Sequence, residues 1–516
     1  MSRRRVVGAL VLVVGLAACR PPAAPAVAAL EPGRFLLAHT NDIHTYFLPN
    51  PAPWLEGAPA IGGFAEIGAW LEALRAQHGR DNVLYLDGGD LLTGTPLMEF
   101  PEHGAYGGAM LDFLGEVGCD AWVVGNHEFD RGFDNAAAFV LASPVPVLSA
   151  NLRDPAEPAR AALPGSVPHV VLDANGLRIG VFGLTTPQLP RLASPATMAR
   201  MQVWPPEVAA RAQVEALEGQ VDLIVALTHM GIEDDRQLAE AVPGLDLIVG
   251  GHSHTSLHPP EKVGSTWVVQ AGSYARQLGL LDIRVADGQI VGFDDRLIDL
   301  LPAARPGPVP EELAVLVDRW DQRVGERFDR PIGTLAEPLG REGADGSPLG
   351  RFVARALRSD AGAQVGITNR GGLRADLPGG PLTLRDLYGV LPFGNEMFRF
   401  EASGDELIGL ALRMASRRLS GREASLELDG LRFAWKETLG SPEIVWATVD
   451  GVPLDPAATY TVSTSDFLIQ QSQHHFGFAP RNAVPLGTTD LAAAERALRS
   501  GALGPVVEPA VLRVDR

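Results

Sequence analysis

The chain has 516 residues, 46% of them apolar and 20% charged, and a formal net charge of −19. That length exceeds what one hydrophobic core usually serves, and the apolar fraction excludes a disordered chain. The acidic balance argues against a general binder of nucleic-acid polymer, which needs a basic face. A phosphate group recognised by so acidic a protein must meet local positive charge, from cations or clustered arginines. Lysine adds little, since Lys262 and Lys436 are the only two.

The N-terminus reads as a targeting segment. Arg3, Arg4 and Arg5 form a basic start, and residues 6–18 form an apolar run too short for a stable membrane span. Leu16-Ala17-Ala18-Cys19 resembles the bacterial lipoprotein box. That resemblance implies a signal peptide over residues 1–18, lipid attachment at Cys19 and a Pro/Ala-rich tether over residues 19–33. Arg20, in place of an acidic residue after the cysteine, resembles proteins sorted to an outer membrane. The expectation is an exported protein held to a membrane by lipid alone, at the periplasmic face or the outer membrane. Cys119 is the only other cysteine and reads as a small buried residue at a strand entrance.

From Phe35 onward, short apolar runs alternate with helical patterns. Strands are expected at residues 35–38, 83–86, 122–124, 179–183, 223–227, 247–249 and 267–269. Residues 61–76 carry Phe64, Ile67, Trp70 and Leu71 at helical spacing. This alternation predicts a layered α/β domain. Residues 301–309 hold three prolines and read as a boundary, and residues 311–328 follow as a helix with Leu313, Leu316, Val317, Trp320 and Val324 on one side.

Polar residues fall where the apolar runs end. Residues 35–38 lead into His39-Thr40-Asn41-Asp42-Ile43-His44, and residues 83–86 into Asp87-Gly88-Gly89-Asp90. Residues 122–124 lead into Gly125-Asn126-His127-Glu128-Phe129-Asp130, residues 223–227 into Thr228-His229, and residues 247–249 into Gly250-Gly251-His252-Ser253-His254. In α/β folds the carboxyl ends of strands are where sites assemble. Carboxylate, imidazole and amide donors without a thiolate suit Zn, Mn, Fe or Co. His39 reads as a packed residue, and His78, His103, His169 and His258 as loop residues.

With these motifs the chain resembles the 5'-nucleotidase family, through Asp42-x-His44, Gly89-Asp90, Gly125-Asn126-His127-Glu128, His229 and Gly251-His252-x-His254. The resemblance implies a calcineurin-like metallophosphoesterase domain over residues 34–302, a β-sandwich flanked by helices. It implies a linker helix over residues 303–331 and a smaller α/β substrate-binding domain over residues 332–516. It also implies two divalent cations, one on Asp42, His44, Asp90 and His254, the other on Asp90, Asn126, His229 and His252. His127 is then a catalytic residue, not a ligand, oriented by Asp130.

In the second half, Asn369-Arg370-Gly371-Gly372-Leu373-Arg374 and Leu391-Pro392-Phe393-Gly394-Asn395 resemble two further motifs of that family. The resemblance assigns Asn369 and Arg374 to a substrate phosphate, Phe393 and Phe467 to the faces of a base, and Arg341 to a second substrate contact. The sequence departs from the family where Gly-Gly-Asp-Gly is expected and Gln470-Gln471-Ser472-Gln473-His474-His475 stands instead. The implied activity is hydrolysis of nucleotide phosphomonoesters by metal-activated water, on a small-molecule substrate. Two alternatives stay open: the same centre acting on a cyclic nucleotide, nucleotide sugar or sulfur-linked ester, and a non-catalytic binding lipoprotein.

Overall fold

The computed structural model describes residues 30–52, 54–343, 346–421, 426–501 and 510–514. The segment expected to be a signal peptide, Cys19 and most of the expected tether lie outside the described residues. Among those that are described, no helix is long and apolar enough to cross a membrane.

The first half is built on two six-stranded sheets. In one, the strand Arg34–Thr40 lies parallel to Val83–Asp87, which lies parallel to Ala121–Val123. In the other, Leu177–Thr185, Leu223–His229, Leu247–Val249 and Thr266–Val269 run parallel in that order. Because side chains alternate along a strand, each sheet has two apolar faces. Phe35, Leu37, Leu84, Leu86 and Val123 meet Ile179, Val181, Val225, Leu227 and Val249 in one buried cluster between the sheets. The alternate residues Leu36, Ala38, Val83, Tyr85 and Trp122 turn outward under helices. On the second sheet Phe182, Leu184, Ile224, Ala226 and Ile248 do the same. The domain is thus a sandwich with helices on both outer faces, and strand burial on both sides explains why the runs read as continuous apolar stretches.

Each expected strand forms, Leu247–Val249 with the expected ends and the others with shifted ones. The run read as residues 122–124 spans Ala121–Val123, and that read as 179–183 extends over Leu177–Thr185. The helix expected from residue 61 starts later, at Phe64–His78, because Gly62 and Gly63 take φ of 91° and 90° and turn the chain. His78 therefore ends a helix and His169 begins the strand His169–Ala174, so neither lies in a loop. Cys119 is buried just ahead of its strand.

The helix Glu311–Phe328 buries Leu313, Leu316, Val317, Trp320, Val324 and Phe328. Its apolar stripe joins a core cluster that also holds Phe64 and Phe113 of the first half and Leu349, Val353 and Tyr388 of the second. The second half carries a five-stranded sheet with Val365–Asn369 and Thr459–Ser465 paired in parallel, and a four-stranded sheet beside it. Two helices, Pro348–Ala361 and Gly404–Leu419, cover these sheets with amphipathic faces.

Candidate metal centre and its cavity

The loops after five strands, three from one sheet and two from the other, meet at one edge of the sandwich. Their backbone is unusual. Asp42, His44, Asp90, His252 and His254 all have positive φ, between 51° and 77°. Non-glycine residues rarely adopt that region, and clusters of them mark positions held by surrounding structure for a task. Here the surroundings are explicit: Asp42 N–H donates to the Gly89 carbonyl and His44 N–H to that of Asp90, each at 2.9 Å. Two glycines are required by contact. A Cβ on Gly125 would lie 2.2 Å from Asp90 Oδ1, and one on Gly251 would lie 2.7 Å from the Gly88 carbonyl oxygen.

Three overlapping sets result: Asp42, His44 and His254; His44, Asp90 and His127; Asp90, His229 and His252. In each, one donor atom per residue lies within 4.8 Å of the others. Asp90 Oδ2 is 2.9 Å from His229 Nε2 and 3.9 Å from the Nε2 atoms of both His44 and His127. Asp42 Oδ1 is 3.2 Å from His254 Nε2 and 3.9 Å from His44 Nε2. His44 Nε2 and His254 Nε2 face each other at 3.1 Å.

Donor chemistry fits divalent cations. His44 Nδ1 lies against the carbonyls of Leu92 and Thr93 at 3.1 and 2.9 Å, and His229 Nδ1 against that of Gly88 at 2.7 Å. Facing only acceptors, each Nδ1 carries the proton, which leaves Nε2 as a lone-pair donor aimed inward. Asn126 Oδ1 is buried without a hydrogen-bond partner, a costly state for a polar atom that a cation would relieve. Electrostatics agree. Burial lowers His229, yet Asp90 and Asp42 outweigh it and push the imidazole up to about 10. Burial alone would raise Asp90, but His229 and His127 hold it well below the usual carboxylate range. The centre is an anionic pocket that holds a proton where a metal fits.

His127 differs from its neighbours. Its Nδ1 donates to Asp130 Oδ2 at 2.7 Å, and its backbone N–H donates to Asp90 Oδ1 at 2.8 Å. Burial opposes the charge, but Asp130 and then Asp90 prevail and raise its pKa. A cavity of about 560 Å³ opens in front, lined by Asp90, Asn126, His127, His252 and His254 from the first half. Asn369, Arg374, Phe393 and Phe467 line it from the second. Phe393 stacks on His127 with ring centroids 5.7 Å apart, and the Arg374 guanidinium sits 5.9 Å from the Phe393 centroid. Asp42, His44 and His229 lie behind that wall, fully buried.

Arg341 does not line the cavity. Its guanidinium donates to the Arg374 carbonyl at 2.8 Å and pairs with Asp376, which places it behind Arg374. Arg370, inside the same motif, is tied to Glu427 at 2.7 Å. His39 is buried, and burial lowers it to about 3.

Several residues with roles at the site were not singled out from sequence. Glu128 accepts N–H bonds from Leu91, Leu92 and Gly125, clamping two ligand loops together. Its place in the Gly-Asn-His-Glu run was a usable signal. Asn41 Nδ2 donates to Asp42 Oδ2 at 2.7 Å. Tyr274 packs its ring 5.5 and 5.2 Å from His44 and His254, and nothing local in the sequence announces it. Asp466 also lines the cavity, as do Gln470 and Gln471 of the segment that departs from the family.

Two family models match the chain: calcineurin-like phosphoesterase over residues 35–256, and 5'-nucleotidase, C-terminal domain, over residues 331–479. The trifunctional nucleotide phosphoesterase protein YfkN of Bacillus subtilis is 28% identical over 75% of this chain, which spans only 29% of that longer protein. Protein UshA of Yersinia enterocolitica is 26% identical, with 84% of each chain covered. The crystal structure of a 5'-nucleotidase precursor from Thermus thermophilus superposes with a TM-score of 0.81 at 27% identity, covering 94% of this chain and 100% of that one. Matched in both halves and in fold, the chain belongs to the 5'-nucleotidase family, a calcineurin-like phosphoesterase domain followed by a 5'-nucleotidase C-terminal domain, and is a metal-dependent phosphoester hydrolase.

Proposed function

We propose that the chain hydrolyses phosphomonoesters of nucleotides at this centre. Asp42, His44, Asp90 and His254 hold one divalent cation, and Asp90, Asn126, His229 and His252 a second, with Asp90 shared. The observation that carries this reading is convergence: O and N donors meet from five strand ends, and those of three of them, Asp90, Asn126, His252 and His254, line the same cavity as His127, Asn369 and Arg374. Bound there, Zn, Mn, Co or Fe supplies Lewis acidity and a lowered pKa for water.

The chain's own groups do the rest. Arg374 and Asn369 orient the phosphate, and Arg341 fixes Arg374 from behind. His127, held protonated by Asp130, donates from Nε2 to the phosphoryl oxygens as charge builds on them. Phe393 and Phe467 offer faces to a base, whose stacking tolerates any base. The working unit is the division into residues 34–302, 303–331 and 332–516, exported and anchored by lipid on Cys19. A Cys19→Ser variant released from the membrane fraction supports the anchor, and one that stays there refutes it.

Phosphate release from AMP tests the function. Activity lost to a chelator and restored by Mn, Co or Zn supports the reading; full activity in metal-free protein overturns it.

A further inference from the structure

We propose that Tyr388, a residue of the second half, is a positioning residue for His127, acting through Glu99 and Arg131. This rests on the role given to His127 above and deepens it. The stretch that carries His127 is short. His127–Phe129 form a single tight turn, Asp130 and Arg131 follow, and Gly132 takes φ of 82° and redirects the chain. Glu128 ties the front of this stretch to the loop after Asp90, through the N–H groups of Leu91 and Leu92. Arg131 ties the back of it further along the same loop. Its guanidinium donates to Glu99 Oε1 and lies 5.1 Å from the centroid of the Tyr106 ring.

The second half completes this second tie. The Tyr388 hydroxyl donates to the same Glu99 Oε1 at 2.8 Å. Its ring is buried, with its centroid 5.5 Å from that of Phe328. Burial, then the Glu99 charge, holds the phenol well above the ordinary tyrosine range, so it stays a donor. Bonds of this kind to a carboxylate are stronger than neutral ones, and a buried phenol without a partner is costly. Tyr388 lies on the helix Leu384–Val390, and the chain just past that helix lays Phe393 on the His127 ring. The second half thus meets the His127 stretch at two points, a ring on the imidazole and a hydroxyl on the anchor of Arg131. Arg131 follows Asp130 directly, and the Asp130 carboxylate accepts the His127 Nδ1 proton. Freed at Glu99, the stretch lets Asp130 and the imidazole drift from the reacting end, and a misplacement of about 1 Å costs up to about 10²-fold in rate.

The test uses the full chain loaded with Mn. Tyr388→Phe keeps the ring and removes only the donor. Its kcat should fall by about 3–30-fold on AMP and on an aryl phosphate alike, with KM held and metal content by elemental analysis equal to wild type. Glu99→Ala should lower kcat in the same way, and adding Tyr388→Phe to it should change kcat by less than about twofold. In a His127→Ala background Tyr388→Phe should likewise leave the residual kcat within about twofold. A Tyr388 that only packs against Phe328 leaves kcat at the wild-type value, or lowers it equally without His127; either result overturns the proposal, as does a loss confined to KM. His127→Ala with wild-type kcat sinks the role given to His127 and this proposal with it. Wild-type kcat in Tyr388→Phe beside a depressed His127→Ala overturns the proposal alone. An aryl phosphate turned over without AMP sinks the nucleotide reading alone, and kcat on the aryl phosphate then decides this one.

Discussion

Replacing Glu128 by Gln tests whether one buried carboxylate holds the loops that present Asp90 and Asn126. Oε1 accepts the N–H groups of Leu91 and Leu92 at 2.8 and 3.3 Å, and Oε2 accepts that of Gly125 at 2.6 Å. The first two follow Asp90 directly and the third precedes Asn126. Burial, with Asp90 adding, pushes Glu128 up to about 7. Protonation does not spoil the clamp, because each carboxyl oxygen keeps an acceptor lone pair in either state. An amide nitrogen has none, so in Glu128→Gln at least one buried N–H faces a donor. Orphaning one buried donor costs about 1–3 kcal/mol. Changing a residue that orients metal ligands lowers affinity about 10–100-fold. Denaturant unfolding of the metal-free variant should show the first loss, and Mn titration followed by elemental analysis the second. Wild-type stability together with wild-type affinity refutes the reasoning.

His127→Ala should lower turnover by about 10²–10⁴-fold while both metal equivalents remain; loss of one equivalent shows that His127 is a ligand. Burial pushes Asp490 up to about 7 from an ordinary 3.8. Between those values the folded chain keeps a proton that the unfolded chain has released. Its contribution to stability is therefore complete at the acidic end and lost as pH rises through about 7, at up to about 1.4 kcal/mol per pH unit. Asp490→Asn should flatten the dependence of the melting temperature on pH across that window, and an unchanged slope overturns the assignment.

The strand ends at the site were legible in sequence because the five apolar runs stop abruptly at His39, Asp87, Gly125, Thr228 and Gly250, a local signal. That the ends come from two facing sheets was not legible in the local pattern and followed only from the family resemblance: pairing order depends on contacts such as Leu37 with Leu281, far apart in the chain. Glu128 stood in plain view, but its partners Leu91 and Leu92 belong to another loop. Arg341 shows the opposite failure, where a suitable residue type near a motif points to a carbonyl instead of the cavity. Residue type predicts capacity; only the fold decides which atom faces which.

Phe393 shows what the second half contributes beyond holding a base. His127 is engaged at Nδ1 by Asp130 and covered on one face by Phe393, a residue from the other half of the chain. Nε2 remains, 3.9 Å from Asp90 Oδ2 and facing the reacting end. An apolar ring on the imidazole excludes water there, and a charge–phosphate interaction strengthens as the local dielectric falls. If Phe393 served the base alone, Phe393→Leu would penalise nucleotides and spare a simple aryl phosphate. Shielding of His127 predicts instead that kcat falls on both substrates, with the larger loss in kcat/KM for the nucleotide, where stacking is lost as well. Steady-state kinetics on the two substrates separates the cases, and an aryl phosphatase kcat equal to wild type refutes the shielding role.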